Sequence, residues 1–421
     1  MYDWANSAMM TTIITAVFPI YFRKVAAAGL PEGAASNIFT AASTIGMVII
    51  AVLAPILGTL ADERPIKKRL LGLFMAVGIT AVGAMFFIEK GNWLLAALLF
   101  VVANIGANGS FVFYDALLPH VARPEEVDRV STAGYALGYV GGGLLLMLNL
   151  AWIIKPDWFG LPFGPGLTPS QKTLPTRLAF ASVAVWWLVF SIPLFRKVRE
   201  PRIDLSAGTA RPIVEVFARL AATFRELKRY RQGFLMLLAF LIYNDGIGTI
   251  IRMATFYGAE IGIGENDMIA SLVIVQFVGI PFAFLFGGLA GRIGAKPSIA
   301  LGLVVYVGIS VLGYFMTTST HFFILAILVG MVQGGTQALS RSLFASLIPR
   351  ARSGEFFGFF AVVEKFAGIF GPALYGLSRW LTGDTRNAIL SVIPFFVGGG
   401  VLLAFVDVKT GQREAQALTE A

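Results

Sequence analysis

The chain of 421 residues contains no cysteine and only two histidines. Structural disulfides and thiolate metal sites are therefore excluded, and a metal site built from histidines is not expected. The sequence also lacks a recognisable set of nucleophile, base and orienting group. We therefore expect neither an enzyme nor a bound cofactor.

Charged residues are also scarce. They make up 14% of the chain, whereas hydrophobic residues make up 57%. A soluble globular chain carries about a quarter charged residues, and it could not bury this much apolar surface against itself. The composition therefore predicts an all-α integral membrane protein whose main partner is the lipid bilayer.

The positive charges are distributed unevenly along the chain. If the N-terminus is cytoplasmic, 22 lysines and arginines fall in cytoplasmic segments and 8 on the other side. This positive-inside bias predicts a multi-pass protein of a bacterial plasma (inner) membrane with both termini in the cytoplasm. The net charge of +9 does not indicate a nucleic-acid partner, because the basic residues are dispersed over several loops without aromatic platforms.

Twelve stretches are apolar enough to span a membrane, since a spanning helix needs roughly 20 such residues. Their predicted positions are 3–22, 37–61, 71–88, 93–118, 130–154, 178–195, 233–257, 268–290, 298–316, 322–347, 356–380 and 388–406. A charged stretch between the sixth and seventh divides the chain. It predicts a six-helix bundle at 1–196, a cytoplasmic linker with an amphipathic helix at 197–231, and a second six-helix bundle with a short tail at 232–421.

The two halves of the chain repeat one another. Segment 58–67, between the second and third predicted spans, matches segment 287–296, between the eighth and ninth. Leu118-Pro119 reappears as Ile348-Pro349, a shift of 230 residues. Parallel repeats of six helices are the architecture of the major facilitator superfamily. We therefore predict the major facilitator fold, with twelve transmembrane helices in two pseudo-symmetric six-helix bundles.

Specific motifs carry a resemblance to known families. Gly58-Thr59-Leu60-Ala61-Asp62 with its basic continuation resembles the cytoplasmic signature of the major facilitator superfamily, although Pro65 and Glu63 replace a usual glycine and basic residue. The chain is also similar to the "unknown major facilitator" family, which is related to autophagy-associated vacuolar amino-acid effluxers. That likeness rests on Tyr2-Asp3-Trp4-Ala5-Asn6-Ser7-Ala8, Phe113-Tyr114-Asp115-Ala116-Leu117-Leu118-Pro119, Trp186-Trp187, Tyr243-Asn244-Asp245-Gly246 and Gln333-Gly334-Gly335-Thr336-Gln337-Ala338-Leu339-Ser340-Arg341-Ser342. The resemblance implies a transporter, with amino acids as the first substrate class to consider.

Members of that family carry a short polar segment before the tyrosine of the first motif. The sequence therefore leaves open an upstream start of the natural chain. Asp3 would then lie deeper in the membrane than its residue number suggests.

Polar residues follow a period of three helices. The predicted spans three, six, nine and twelve contain no ionisable or amide side chain, whereas spans one, four, seven and ten carry most of them. A charge or amide in the hydrocarbon region is costly unless it faces protein or water. We therefore expect the first set to face lipid and the second set to line a cavity.

Helical spacing selects the candidate binding residues. Asp245, Thr249 and Arg252 share one face of span seven, and Gln333, Gln337 and Arg341 form a stripe on span ten. Substrate sites in such folds lie near the midplane of the bilayer. The full set of candidate substrate- or ion-binding residues is Asp245, Asn244, Arg252, Asn104, Asn108, Gln333, Gln337, Arg341, Glu364, Lys365, Asp3 and Asn6.

Structural interpretations of the same residues remain open. Asp245 could form an ion pair with Arg252, and Glu364 could do so with Arg341. The amides could hold helices together instead of binding a solute. At the cytoplasmic end, Asp115 is expected to pair with Arg129 or with the basic turn after span two.

A second group of residues is predicted to act as a gate. Ion pairs near the helix ends can hold one conformation of a transporter and break in the other. The candidates are Gly58, Asp62, Lys67, Lys68, Asp115, Arg292 and Lys296. Charges that only orient the helices during insertion are the alternative.

Together these features predict a secondary active transporter for a small polar solute, working by alternating access. We expect a monomer driven by a proton gradient, with Asp245 as the first candidate for the proton. A multidrug-type exporter and a transport-inactive membrane receptor or scaffold are the alternatives. The sequence does not give the substrate, the direction of transport or the coupling ion.

Overall fold

The computed structural model describes residues 1–31, 34–200, 230–366, 370–383 and 385–420. Most of the predicted linker at 197–231, including its expected amphipathic helix, lies outside the described residues. The side chain of Lys365 also lies outside them, although its backbone belongs to a helix.

The described residues form helices and no strands. The prediction of an all-α membrane fold with twelve spans is confirmed, and the spans are numbered here in chain order. Spans 1 to 6 are Tyr2–Ala26, Ala34–Glu63, Lys67–Phe87, Trp93–Val121, Pro124–Ile154 and Pro169–Lys197. Spans 7 to 10 are Arg231–Glu260, Glu265–Ile293, Ala295–Tyr314 and Ser319–Ser346. Span 11 comprises Ser353–Phe366 and Phe370–Thr382, span 12 comprises Thr385–Leu390 and Ile393–Ala404, and a last helix covers Val408–Glu420.

Eleven of the described helical stretches are long and apolar enough to cross a membrane by length and composition. Span 11 is the one span of the twelve that is not among them. Its two helices stand on either side of 367–369, which lie outside the described residues.

Local sequence explains where several spans begin and end. Thr168 and Gln171 form a reciprocal capping box before span 6, and Pro169 occupies the first helical position, where its missing N–H costs nothing. Span 10 begins after Thr318, whose hydroxyl accepts a hydrogen bond from the His321 N–H. Gly294, at φ 91°, separates spans 8 and 9 in a conformation that other residues rarely adopt.

Span 1 is not a regular α-helix. The segments Met9–Ala16 and Phe22–Ala26 are π-helical, with the Val17 N–H bonded to the Thr12 carbonyl five residues earlier. Each π turn holds one more residue than an α turn. Residues that α-helical spacing would place on one face of span 1 therefore lie on different faces. The sequence pattern did not reveal this.

Burial follows the predicted polarity period. In spans 1, 4, 7 and 10, between 50% and 61% of the residues in the most apolar window are buried, against 22% to 44% in the other qualifying spans. The polar helices therefore lie inside protein. Burial does not separate the predicted lipid-facing spans 3, 6, 9 and 12 (28% to 44%) from spans 2, 5 and 8 (22% to 44%), so that part stays a prediction.

The chain forms two compact units. The first contains 1–53, 68–114 and 137–200, and the second contains 54–67, 115–136 and 201–421. The ends of spans 2 and 4 and the beginning of span 5 thus pack with spans 7 to 12. The predicted bundles 1–196 and 232–421 stay a prediction.

Candidate functional site

Asp245 lies in the interior of the second unit with 1% of its surface exposed. Its Oδ2 accepts a hydrogen bond of 2.9 Å from the Gly371 N–H. Gly371 lies in span 11, in the helical segment Phe370–Thr382 that follows the undescribed residues 367–369. The Asp245 carboxylate therefore binds the backbone of span 11 directly.

Spans 7 and 11 approach each other closely at this hydrogen bond. A Cβ atom built on Gly371 would collide with the Thr249 hydroxyl and come within 3.0 Å of the Asp245 carbonyl oxygen. The Thr249 hydroxyl itself donates to that carbonyl over 2.7 Å. Glycine is therefore required at position 371, and its neighbour Pro372 has no N–H that needs a partner.

Arg252 connects Asp245 to a second carboxylate. Its guanidinium interacts electrostatically with Asp245, which is in the same span, and with Glu364 in span 11. Glu364 is half-buried and Arg252 is exposed, whereas Asn244 beside Asp245 is buried. This group, named the Asp245 cluster, holds two acidic side chains and one basic side chain. Opposite charges at such a site can bind an ammonium and a carboxylate, or they can exchange a proton.

The polar stripe on span 10 divides into two environments. Gln333 and Gln337 are half-buried, one turn apart on one face, and stay candidates for contacts with a solute. Arg341 is 5% exposed and belongs to a different set of contacts, described below.

In the first unit, Asn104 and Asn108 are both buried, and the Asn108 amide donates to the Asn104 backbone oxygen over 2.9 Å and to its side-chain oxygen. Asp3 is buried near the beginning of span 1, where its carboxylate accepts a hydrogen bond from the Tyr114 hydroxyl. Asn6 is 2% exposed, and none of the described residues accepts a hydrogen bond from its amide nitrogen. These amides are therefore enclosed by protein, as predicted for polar groups in a membrane span.

Sequence reasoning missed one network in this unit. The Asn149 amide donates to the Thr12 hydroxyl over 3.4 Å, and the Ser182 hydroxyl donates to the Asn149 side-chain oxygen over 2.9 Å. The network joins spans 1, 5 and 6. Threonine and serine carry no charge or amide, so the search for costly polar groups did not find them.

Asp62 is the centre of a buried contact between spans 2 and 11, named the Asp62 latch. Its side chain has no exposed surface and forms an ion pair of 2.6 Å with Lys67. Its two oxygens also accept hydrogen bonds from the Gly354 N–H (2.9 Å) and the Glu355 N–H (2.6 Å). These N–H groups belong to the first turn of the helix Ser353–Phe366. The carboxylate therefore binds a helix N-terminus and a lysine at once.

Two glycines allow the Asp62 latch to close. A Cβ atom on Gly58 would collide with the Gly354 carbonyl, and one on Gly354 would come within 2.9 Å of the Asp62 Oδ1. One turn further along span 11, a Cβ on Gly358 would come within 2.7 Å of the Ala54 oxygen. The backbones of spans 2 and 11 are thus in contact over two turns.

Replacing Gly58 by alanine is therefore expected to separate the two backbones. Overpacking of this kind costs about 1–3 kcal/mol, so the apparent melting temperature of the purified protein should fall. Gly291 occupies the place of Asp62 in the second copy of the repeat, and a Cβ there would meet nothing within 4 Å. Gly291→Ala should leave the melting temperature unchanged or raise it. Equal effects of the two substitutions would contradict a latch at Gly58.

A second contact, named the Arg341 cluster, joins span 10 to spans 4 and 5. The Arg341 guanidinium forms an ion pair of 2.9 Å with Asp115 and donates to the Ser131 hydroxyl (3.0 Å) and the Ser131 carbonyl (3.2 Å). It also lies 4.8 Å from the centre of the Tyr135 ring. Asp115 therefore pairs with a residue 226 positions away, a partner that differs from the Arg129 or basic turn expected from the sequence.

Hydroxyl groups extend the Arg341 cluster. Ser342 donates to the Asp128 carboxylate over 2.5 Å, and Ser131 donates to the Ala338 carbonyl over 2.7 Å. Ser340 donates to the Thr336 carbonyl, so its oxygen can accept from the Tyr243 hydroxyl 2.5 Å away. Tyr243 precedes Asp245 by two residues on span 7. Span 7 thus contacts span 10 through Tyr243 and span 11 through Asp245.

Two further predicted gate residues, Lys68 and Lys296, bind helix ends. Lys68 donates through Nζ to the Val198 carbonyl over 2.7 Å, and its own N–H donates to the Glu200 carboxylate. Lys296 donates to the carbonyls of Ala404 (2.7 Å) and Val406 (2.8 Å). Both lysines therefore neutralise the carbonyl end of a neighbouring helix. Arg292 is exposed.

Comparisons with known proteins agree on the architecture. The family described as "Vacuole effluxer Atg22 like" matches residues 31–416. An uncharacterised MFS-type transporter, YxiO of Bacillus subtilis, is 38% identical over 99% of this chain and 95% of its own length. Autophagy-related protein 22 of Yarrowia lipolytica is 23% identical over 92% of this chain and 78% of its own length.

Solved structures of major facilitator transporters share the fold at low sequence identity. FucP in its outward conformation matches with a TM-score of 0.68 at 13% identity, covering 96% of each chain. The proton:xylose symporter XylE matches with a TM-score of 0.71 at 15% identity, covering 99% of this chain and 96% of XylE.

Proposed function

Because the chain belongs to the vacuole effluxer Atg22-like family of major facilitator transporters, we propose that it moves a small zwitterionic solute, first of all an amino acid, by proton-coupled alternating access. The relatives are transporters and not enzymes. The observation that carries the substrate class is the Asp245 cluster, in which Arg252 interacts electrostatically with both Asp245 and Glu364.

The charges of the Asp245 cluster suit such a solute. A solute carboxylate can bind the exposed Arg252 guanidinium, which offers several N–H donors. A solute ammonium can bind a carboxylate, for which half-buried Glu364 is accessible. Asp245 is the first candidate for the coupling proton, because a buried carboxylate in a membrane span can bind and release one proton in each cycle.

The Asp62 latch and the Arg341 cluster support alternating access. Both join the ends of spans 2, 4 and 5 to spans 10 and 11 through buried charges. Such contacts can hold one conformation and break in the other. The positive-inside bias assigns these helix ends to the cytoplasm, and the Bacillus relative supports a bacterial plasma membrane. We propose that the protein works as a monomer.

A ligand screen tests the substrate class. Purified protein should be stabilised by its substrate and by its close analogues, since binding at 100 times the Kd adds about 2.7 kcal/mol to the native state. We expect amino acids to raise the apparent melting temperature and sugars or large hydrophobic cations to leave it unchanged. Arg252→Gln should remove the response to amino acids, whereas Arg379→Gln, at an exposed ion pair with Glu260, should keep it.

Other outcomes of the screen lead to other functions. Stabilisation by hydrophobic cations alone would favour a multidrug-type exporter. Amino acids that bind without crossing the membrane of proteoliposomes would favour a receptor or scaffold.

A further inference from the structure

A surface groove lies where spans 9 and 12 meet the last helix. Its volume is about 410 Å³, and its lining consists of Lys296 and the segment from Ala404 to Lys409. The segment links the end of span 12 to the helix Val408–Glu420. The groove therefore lies at the end of two membrane spans, at the level where a bilayer places its headgroups.

Two lysines give this groove positive charge that can bind an anion. The Lys296 ammonium is fixed by its two hydrogen bonds to the carbonyls of Ala404 and Val406. An ammonium has three N–H donors, so one remains for a ligand. Lys409 is exposed beside it in the first turn of the last helix.

One acidic residue, Asp407, shares the groove, and its carboxylate is engaged by the beginning of the last helix. It accepts hydrogen bonds from the Thr410 N–H (3.0 Å) and the Thr410 hydroxyl (2.8 Å). These two bonds, the backbone one first, and a weaker attraction to Lys296 hold the pKa of Asp407 below its usual value. The two lysines and Asp407 leave a net charge of +1 in the groove.

An apolar strip leads from the hydrocarbon region to the groove. Val397, Val401 and Phe405 recur every four residues on span 12 and are 53%, 52% and 71% exposed. Leu301 and Val304 on span 9 are also exposed. On a membrane span, an exposed apolar face contacts lipid chains.

We propose that this groove binds an anionic phospholipid. The phosphate lies between Lys296 and Lys409, and the acyl chains follow the strip of Val397, Val401 and Phe405. The phosphate headgroup matches the charge of the groove, and the chains continue the lipid-facing surface of span 12. Neither a soluble anion nor a neutral lipid satisfies both parts of the site.

Titration of the purified full-length protein with defined lipids tests the proposal. Native mass spectrometry in a neutral detergent counts bound molecules of dioleoyl phosphatidylglycerol, dioleoyl phosphatidylcholine and inorganic phosphate. We expect phosphatidylglycerol to bind more tightly than phosphatidylcholine and inorganic phosphate to bind weakly. Binding of phosphatidylglycerol should weaken at high salt, because a charged headgroup is screened.

Matched variants locate the site. Lys409→Gln should weaken phosphatidylglycerol binding about five-fold, the contribution expected for one lysine near an anionic headgroup. Lys172→Gln, which removes an exposed lysine at the beginning of span 6, should leave the affinity unchanged. Phe405→Ala should weaken the binding of phosphatidylglycerol without changing the weak binding of inorganic phosphate.

Three results would overturn the proposal. Equal affinities for phosphatidylglycerol and phosphatidylcholine would mean lipid contact without charge recognition. Binding of inorganic phosphate as tight as that of phosphatidylglycerol would mean a site for soluble anions. Equal effects of Lys409→Gln and Lys172→Gln would place the anionic lipid elsewhere. None of these results depends on whether the protein carries an amino acid.

Discussion

Asp245→Asn is expected to abolish proton-driven transport while leaving the protein folded. The amide keeps the size of the side chain, and its oxygen can still accept the hydrogen bond from the Gly371 N–H. It cannot ionise, and it removes a negative charge beside Arg252. We expect the initial rate of substrate transport into proteoliposomes under an imposed pH gradient to fall by at least about tenfold, which corresponds to about 1.36 kcal/mol or more in the rate-limiting barrier.

Two controls separate this effect from misfolding. Asp157→Asn makes the same chemical change at an exposed position after span 5 and should leave transport intact. Glu364→Gln tests whether the second carboxylate of the Asp245 cluster carries the proton instead. If Asp245→Asn keeps its response to the pH gradient and Glu364→Gln loses it, the proton belongs to Glu364. If both keep it, neither carboxylate carries the coupling proton.

Arg341→Gln is expected to destabilise the contact between span 10 and spans 4 and 5. The conformation in which this contact is made is called the closed form, and the one in which it is broken the open form. The substitution leaves Asp115 without the ion pair of 2.9 Å and leaves two hydrogen bonds to Ser131 unmade. Removing one partner of a buried ion pair costs about 3–5 kcal/mol, and less here because the Asp115 side chain is 14% exposed. If this cost falls on the closed state alone, the balance between closed and open forms shifts by about tenfold or more.

Cysteine accessibility measures that shift directly, because the chain has no native cysteine. A cysteine at Ala338, which is fully buried against span 5, should react slowly with a maleimide in the parent protein. In the Arg341→Gln background the reaction should be at least about tenfold faster, as expected when the buried position becomes exposed in the open form.

The matched control is Arg379→Gln, at an exposed ion pair with Glu260 whose side chains are 54% and 32% exposed. Exposed pairs contribute about 0–1 kcal/mol, so labelling should change little. Asp115→Asn combined with Arg341→Gln should cost less than the sum of the two single changes, because both changes remove the same ion pair. Unchanged labelling in Arg341→Gln would show that the cluster does not hold the closed form.

The resemblance to transporter families could be read from the sequence because it depends on short motifs and on residue spacing. The prediction that spans 1, 4, 7 and 10 are enclosed by protein rested on the cost of charges and amides in lipid, and their greater burial agrees with it. The charges of segment 58–67 at a helix end predicted a gate, and Asp62 does lie in a buried contact.

Pairing was harder to predict. The sequence offered Glu364 as a partner for Arg341 and Arg129 as a partner for Asp115. In the structure, Arg341 pairs with Asp115 instead. Ser131, Tyr135 and Ser342 gave no signal, since hydroxyl and aromatic side chains are common in membrane helices and carry no charge. The π-helical turns of span 1 left no mark in the hydrophobic pattern either.

The sequence by itself therefore determined the membrane class, the number of spans, the family and the set of helices that lie inside protein. Those properties follow from composition and from the period of polar residues along single helices, which require no knowledge of neighbours. Only the tertiary structure decided which charges meet, because a partner 226 residues away is chosen by how helices pack. It also placed the Asp245 carboxylate on the backbone N–H of Gly371 in span 11. A backbone N–H is present at almost every residue, so no side-chain pattern marks the one that a distant carboxylate will bind.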